Sequence, residues 1–246
     1  MSKQRLQKLL ADAGYFSRRS AEAAIRQGRV RINQNTAHIG DKAYIDDAVF
    51  LDGRCLDLKR NSADIEVIAM NKAAGLICSR KDPQKRRSVF TLLPKGKRWV
   101  MVGRLDINTS GLLLFTTNGE LANRLMHPSY QVEREYAVRV LGEVTEQHLQ
   151  KLTQGIRFTD GLIRFVRIKP AGGSGANRWY HVVLKDGKNR AVRRLWEALG
   201  FRVSRLIRIR YGEITLPLKL RANQTIPLNE KQIRKLGGLC DLKLIA

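Results

Sequence analysis

The chain has 246 residues, 43% of them hydrophobic, which suffices for one large domain or a small domain beside a larger one. Its 46 lysines and arginines against 22 aspartates and glutamates leave a formal charge of +24, a self-repulsion that a polyanion offsets, so nucleic acid is the expected partner. No apolar run approaches the ~20 residues of a membrane span, no amphipathic basic helix or lipid signal points to a membrane surface, and no apolar segment follows the initial MSKQRLQK; a cytoplasmic protein is expected.

In chain order, RLQKLLADAG carries Leu6, Leu9, Leu10 and Ala13 at helical spacing and ends at Gly14. A second helix, SRRSAEAAIRQG, starts at Ser17 as N-cap and stops at Gly28. RVRINQNTAHIGDKAYI reads as short strands around an Asn-Gln-Asn turn, and VFLDGRCLDL as a hairpin. Arg18, Arg19, Arg26, Arg29 and Arg31 crowd this small unit, as a phosphate-gripping surface requires. The polar KRNSAD then separates it from the rest of the chain.

From Asp64 onward strands dominate. IEVIAMN, RWVMVG and VEREYAVRVLG read as strands, TNGELANRLMH as a helix closed by His127-Pro128, and TEQHLQKLTQG as a helix running from Thr145 to Gly155. RWYHVVLKDGKNRAVRRLWEALG gives a strand, an Asp-Gly turn and a helix with Val192, Leu195, Trp196 and Leu199 on its core face. In RVSRLIRIRYG, strict alternation puts Leu206, Arg208 and Arg210 on one side and Ile207, Ile209 and Tyr211 on the other. Strands and helices mixed without βαβ alternation suggest an α+β fold on a mixed or antiparallel sheet. The last ten residues, GGLCDLKLIA, read as tail or packed strand.

Cys55, Cys78 and Cys240 are odd in number and far apart, so they read as packing residues, with neither a disulfide framework nor a zinc site. His38, His127, His148 and His181 lack metal-ligand spacing, and there is no Gly-Lys-Ser/Thr loop or Gly-x-Gly-x-x-Gly. No metal and no cofactor is expected.

Composition cannot separate a binder from an enzyme; Asp106 can. It stands in VGRLDINTSGLLLF between Arg104 and a turn-forming Asn-Thr-Ser-Gly run, where an aspartate alone would cap a helix or close a turn. Arg104 would keep it ionised, Tyr136 offers a ring for an extruded base, and Arg190, Arg193 and Arg194 at i, i+3 and i+4 present one cationic face. For Arg190 and Arg194, phosphate binding is as good a reading as catalysis. The basic loop SRKDPQKRR could grip RNA backbone, or be a solvated loop in the free protein.

Residues 3–60 resemble the small α/β S4-like RNA-binding domain, with Asn35 where that module usually has glycine. GRLDINTSGLLLFTTNGELANRLMHPS, EREYAVRVLG and KDGKNRAVRRLWEALGFRVSRLIRIRYG resemble the pseudouridine synthases of the RsuA/RluB type, placing an α+β catalytic domain of mixed or antiparallel sheet over 64–240. The resemblance implies cofactor-free isomerisation of a uridine in ribosomal RNA, 23S in the peptidyl-transferase region; a monomer is the default expectation. It makes Asp106 the catalytic aspartate, Tyr136 the active-site aromatic and Arg193 the partner of the aspartate. Arg104 would help extrude the uridine, and Leu206 would close the pocket. Ala73 in NKAAG replaces the usual proline, implying a less rigid turn, and Ala191 stands where relatives carry a polar residue. The alternatives are the same reaction at another 23S or 16S site, a non-catalytic ribosomal RNA-binding or assembly factor, and a nucleoside hydrolase, which the lack of a metal-binding aspartate cluster disfavours.

Overall fold

The computed structural model describes residues 2–59 and 65–244, so most of the KRNSAD segment lies outside the described residues. At the N-terminus, helices α1 (Leu6–Asp12) and α2 (Arg18–Arg26) pack through Leu6, Leu10, Ala21, Ala24 and Ile25 onto Val30, Ala43, Val49 and Leu58. Ser17 caps α2 as its sequence requires: its hydroxyl accepts from Ser20 N at 3.0 Å, and Ser20 Oγ accepts from Ser17 N at 2.8 Å. A four-stranded antiparallel sheet completes the unit, in the order Asn35–Thr36, Val30–Ile32, Val49–Leu51, Arg54–Leu56. The left-handed residue of the first hairpin is Asn33 (φ 54°), whereas Asn35 pairs with Ile32 as ordinary strand. The replacement at position 35 therefore needs no conformational tolerance. Asp52 and Gly53, at φ 48° and 81°, make the expected two-residue hairpin turn. Cys55 is exposed there and is not a packing residue.

The larger unit is built on one nine-stranded sheet. Its main path runs Arg167–Ser174, Asn177–Leu184, Arg134–Leu141, Arg202–Tyr211, Ser110–Thr116, Val67–Lys72 and Thr225–Pro227, with Val100–Val102 and Ile214–Thr215 paired at the side. Every pairing is antiparallel except one, a short parallel contact of Ile207 with Ser110 and Arg208 with Gly111. Gly111 makes that contact possible: at φ 101°, a Cβ would lie 2.7 Å from Arg208 N and closer still to its carbonyl oxygen. The Ser110-Gly111 pair is thus strand, and the turn expected across Asn-Thr-Ser-Gly closes earlier, where Thr109 N donates to Asp106 O at 3.0 Å.

Helices α3 (Gly119–Met126) and α6 (Glu230–Gly238) cover one face of one half of the sheet. Helices α4 (Glu146–Gln154) and α5 (Ala191–Glu197) serve the opposite face of the other half, through Leu152, Val192, Leu195 and Trp196. His127 ends α3, and Gly155 (φ 105°) ends α4. Leu199 packs on the same core although α5 has already ended. Asp186-Gly187 makes no tight turn: an irregular loop leads from Leu184 to Arg190, whose left-handed backbone (φ 50°) caps α5. After α6, Leu239, Leu242 and Leu244 pack on the core and Cys240 is buried, so residues 237–244 form neither a tail nor a strand.

Strict alternation fails in one strand. Glu135 faces Arg210 and Tyr136 faces Arg208, a bulge that leaves Ile209 without a partner and moves Arg210 off the face of Leu206 and Arg208. Tyr211 takes its place, with the Arg208 guanidinium 5.1 Å from its ring. Among the described residues no helix is long and apolar enough to cross a membrane.

Candidate active site

A polar cleft of about 740 Å³ opens where the two halves of the sheet meet, lined by Arg104, Asp106, Tyr136, Arg190, Leu206 and Arg208 among others. Asp106 reaches it because the chain leaves Val100–Val102, turns at Gly103 (φ 73°) and turns again at Asp106–Thr109 before entering the Ser110–Thr116 strand.

Two buried cations hold that second turn. Lys72, fully buried, donates from Nζ to the carbonyls of Thr109 (2.7 Å), Ala73 (3.0 Å), Asp106 (3.1 Å) and Ile107 (3.4 Å). Arg193, also buried, donates from Nη2 to Asn108 O at 3.1 Å and from Nη1 to Val203 O at 3.0 Å. All four carbonyls from 106 to 109 therefore accept from a buried positive charge. Burial pushes the Lys72 amine below its ordinary range, opposed by the nearby Cys78 and Asp106, and does the same to Arg193, opposed by Asp106 and Glu197. The expected Arg193–Asp106 ion pair is absent among the described residues: Arg193 braces the turn through Asn108 instead.

Tyr136 lies beside Leu206 and Arg208 in the central strands, half-buried, and joins the two core clusters beneath the cleft. Leu206 forms an apolar wall opposite Val138. Arg208 is 1% exposed, donates from Nε to Leu112 O at 2.7 Å, and has a buried Nη2 without a hydrogen-bond partner. Cys78 also lines the cleft; burial pushes its thiol up despite the Leu105 N–H at 3.5 Å. Lys72 and Arg208 were not read as site residues from the sequence. NKAAG drew notice only for its missing proline, and nothing local marks either cation as buried.

Other expected residues fall differently. Arg104 and Arg190 sit exposed at the rim, Arg190 pairing with Glu197 at 2.9 Å. Arg194 is a correction: it lies off the cleft, bidentate on Asp160 at 2.6 and 2.9 Å, its guanidinium 4.4 Å from the Phe158 ring. One helix turn thus sends its three arginines three ways. In the N-terminal unit, Arg18, Arg19 and Arg26 are exposed, Arg29 is bidentate on Asp52, and Arg31 lies 5.8 Å from the Phe50 ring. The basic loop folds on itself: Asp82 holds Arg86 at 2.7 Å, which lowers the Asp82 carboxyl to about 2, and Arg80 stacks 3.9 Å over Phe90. The Ala73 turn is braced, its N–H donating to Asn223 Oδ1 at 3.1 Å, a bond the usual proline could not make. Among the described residues no His, Cys, Asp or Glu cluster could hold a metal ion.

A strongly basic chain with a solvent-open cleft, a carboxylate on a cation-braced turn and an arginine-bearing module ahead of it fits an enzyme that acts on RNA. The model for RNA pseudouridylate synthase matches residues 66–198, and the S4 domain model matches 4–42. The chain is 50% identical over 97% of its length to the ribosomal large subunit pseudouridine synthase B of Yersinia pestis, covering 77% of that protein. It is 51% identical over 98% of its length to the protein of the same name from Vibrio cholerae, covering 76% of it. A crystal structure of a pseudouridylate synthase, 26% identical, matches with a TM-score of 0.66 over 94% of this chain and 99% of that one. The chain belongs to the RNA pseudouridylate synthase family and is an isomerase of RNA uridine carrying an S4 domain.

Proposed function

We propose that the chain converts one uridine of 23S ribosomal RNA, in the peptidyl-transferase region, to pseudouridine, as a cytoplasmic monomer needing no cofactor. Residues 3–60 form the RNA-docking domain and 64–240 the catalytic one. Support for the substrate comes from the large-subunit enzymes to which the chain is about half identical. The observation that carries the mechanism is Asp106, on a turn with every carbonyl bound, lining one cleft with Tyr136 and Leu206.

The reaction breaks the C1′–N1 bond, turns the uracil and joins C5 to C1′; the C5 proton leaves and N1 gains one, so nothing is added overall. Glycoside hydrolysis needs two carboxylates because it activates water. Here water must be kept out and the base retained, and one carboxylate suffices. Asp106 either adds to C1′ or assists loss of a ribose proton. Tyr136 stacks on the uracil, Leu206 closes the apolar side, and Arg104 at the rim helps hold the uridine out of its helix, offsetting the few kcal/mol of unstacking. Arg190 serves the flanking backbone, and Arg18, Arg19 and Arg26 grip RNA further off. Arg193 acts through the turn it braces.

Tritium release from 23S RNA labelled at uridine C5 tests this. Asp106→Asn should abolish release while leaving RNA affinity and melting temperature unchanged. Turnover surviving in that variant would remove Asp106 from the chemistry, and a wild type that binds the RNA but releases no tritium from it or from precursor particles would make the chain an assembly factor.

A further inference from the structure

The sheet has a face that the cleft does not use. Helices α4 and α5 pack on the inner side of the strands Arg134–Leu141, Asn177–Leu184 and Arg202–Tyr211, through Val138, Val140, Val182 and Val203. On the outer side the register aligns Arg139 with Trp179 on one neighbour and Arg205 on the other, and sets Lys169 beside His181. Arg205, Arg167 and Lys169 are exposed, and Arg139, Trp179 and His181 half-exposed. Arg139 lies 5.9 Å from the Trp179 ring and donates to Ser204 Oγ at 2.9 Å. Among the described residues no carboxylate comes within 4.0 Å of Arg139, Arg205, Arg167 or Lys169. The acids at this face, Glu133 and Glu135, are committed to Arg210 at 2.9 and 2.7 Å, with His181 Nδ1 3.8 Å from Glu135.

Two arginines directly opposite in a cross-strand pair repel, and among the described residues no carboxylate pairs with either. Long side chains from three strands and one indole cover a face that neither α4 nor α5 buries, and all the unpaired charge is positive. We propose that this outer face is a second RNA-contact surface, taking the phosphate backbone of the substrate RNA outside the target stem, with Arg139, Arg205, Arg167 and Lys169 as phosphate partners and Trp179 as a stacking platform. A polyanion relieves the Arg139–Arg205 repulsion and releases counterions for each phosphate neutralised. The cleft opens on the inner side, so the two surfaces contact different stretches of one RNA. This inference rests on the proposed ribosomal RNA substrate.

The test uses the full chain with two RNAs, unmodified 23S RNA and a short stem–loop carrying the target uridine, with affinity and its salt dependence measured for each. Arg205→Glu gives Arg139 an opposite charge and should melt no lower than wild type; Arg167→Ala with Lys169→Ala changes only exposed edge residues. Both variants should bind 23S RNA at least severalfold more weakly, with the log–log salt slope shallower by about 0.7–0.9 for each phosphate no longer neutralised, and bind the stem–loop like wild type. Unchanged 23S affinity, or equal losses on both RNAs, would overturn the proposal, as would a loss confined to protein-bearing ribosomal particles, which would mark a protein partner. Wild type failing to bind 23S RNA would instead sink the substrate assignment.

Discussion

Replacing Lys72 by methionine keeps the length of the side chain and deletes the ammonium that ties strand Val67–Lys72 to the Asp106 turn. A hydrogen bond to a charged group contributes about 1.5–3 kcal/mol, so losing the two shortest removes about 3–6 kcal/mol before compensation. Because the cation is fully buried, its removal also returns part of a desolvation penalty, and a net destabilisation of about 2–3 kcal/mol is expected. For a chain of this size that lowers the melting temperature by roughly 5–10 °C. With three turn carbonyls released, Asp106 loses its fixed position, and a displacement of about 1 Å costs on the order of a hundredfold in rate. Urea unfolding and tritium release measure the two effects. The pH dependence carries a sign: the folded amine has its pKa below 10.5, so between that depressed value and 10.5 the unfolded chain binds more protons, and wild-type stability rises with pH across the window. Lys72→Met should lack this rise. A variant as stable as wild type within about 0.5 kcal/mol, with turnover within about twofold, would refute the bracing role.

Gly111→Ala should be the more damaging of two glycine changes. Its Cβ would sit 2.7 Å from Arg208 N at φ 101°, so the parallel strands must part, at about 2–6 kcal/mol, whereas Gly103→Ala meets nothing nearer than 3.8 Å and carries only the left-handed cost of about 1–2 kcal/mol. Urea midpoints rank them. Arg194→Ala should leave turnover within about twofold of wild type, because Arg194 faces Asp160 and not the cleft. The hydrogen bond from Arg194 holds the Asp160 carboxyl at about 2, below its ordinary 3.8, so what the pair contributes is complete above 3.8 and lost as pH falls toward 2. In Arg194→Ala, a carboxyl-detected NMR titration should find Asp160 back near its ordinary value.

What the sequence showed well was local. Ser17 announced a helix start because a hydroxyl three residues before an amide can bond it, and Gly28 and Gly155 announced helix ends because their backbones are left-handed or extended beyond an alanine's reach. Asp106, Tyr136 and Leu206 were legible through motif resemblance, and the structure gathers all three around one cleft. The misses are non-local. The bulge at Ile209 is set by the partner strand, and no pattern inside RLIRIRYG encodes it. The arginines of α5 have correct helical spacing, but Arg194 answers to an aspartate 34 residues away and Arg193 to a carbonyl 85 residues away. Lys72 reads as the polar end of an apolar strand, and its burial depends on carbonyls 34 to 37 positions downstream.

Those misses alter what the charge of +24 means. Lys72, Arg134, Arg193 and Arg208 are all at most 9% exposed, and each donates to at least one backbone carbonyl. Arg134, which lines the cleft, donates to Lys185 O at 2.5 Å and to the Tyr211 hydroxyl at 3.2 Å. All four are buried, so they belong to the architecture of the site. Lys72 and Arg193, the two with Asp106 among their charged neighbours, hold the turn that carries it, and the fold fixes them before any RNA arrives. The arginines on α2, at the cleft rim and on the outer face of the sheet are the ones that stay accessible to a polyanion. In this chain burial thus separates the basic residues that build the site from those left at the surface.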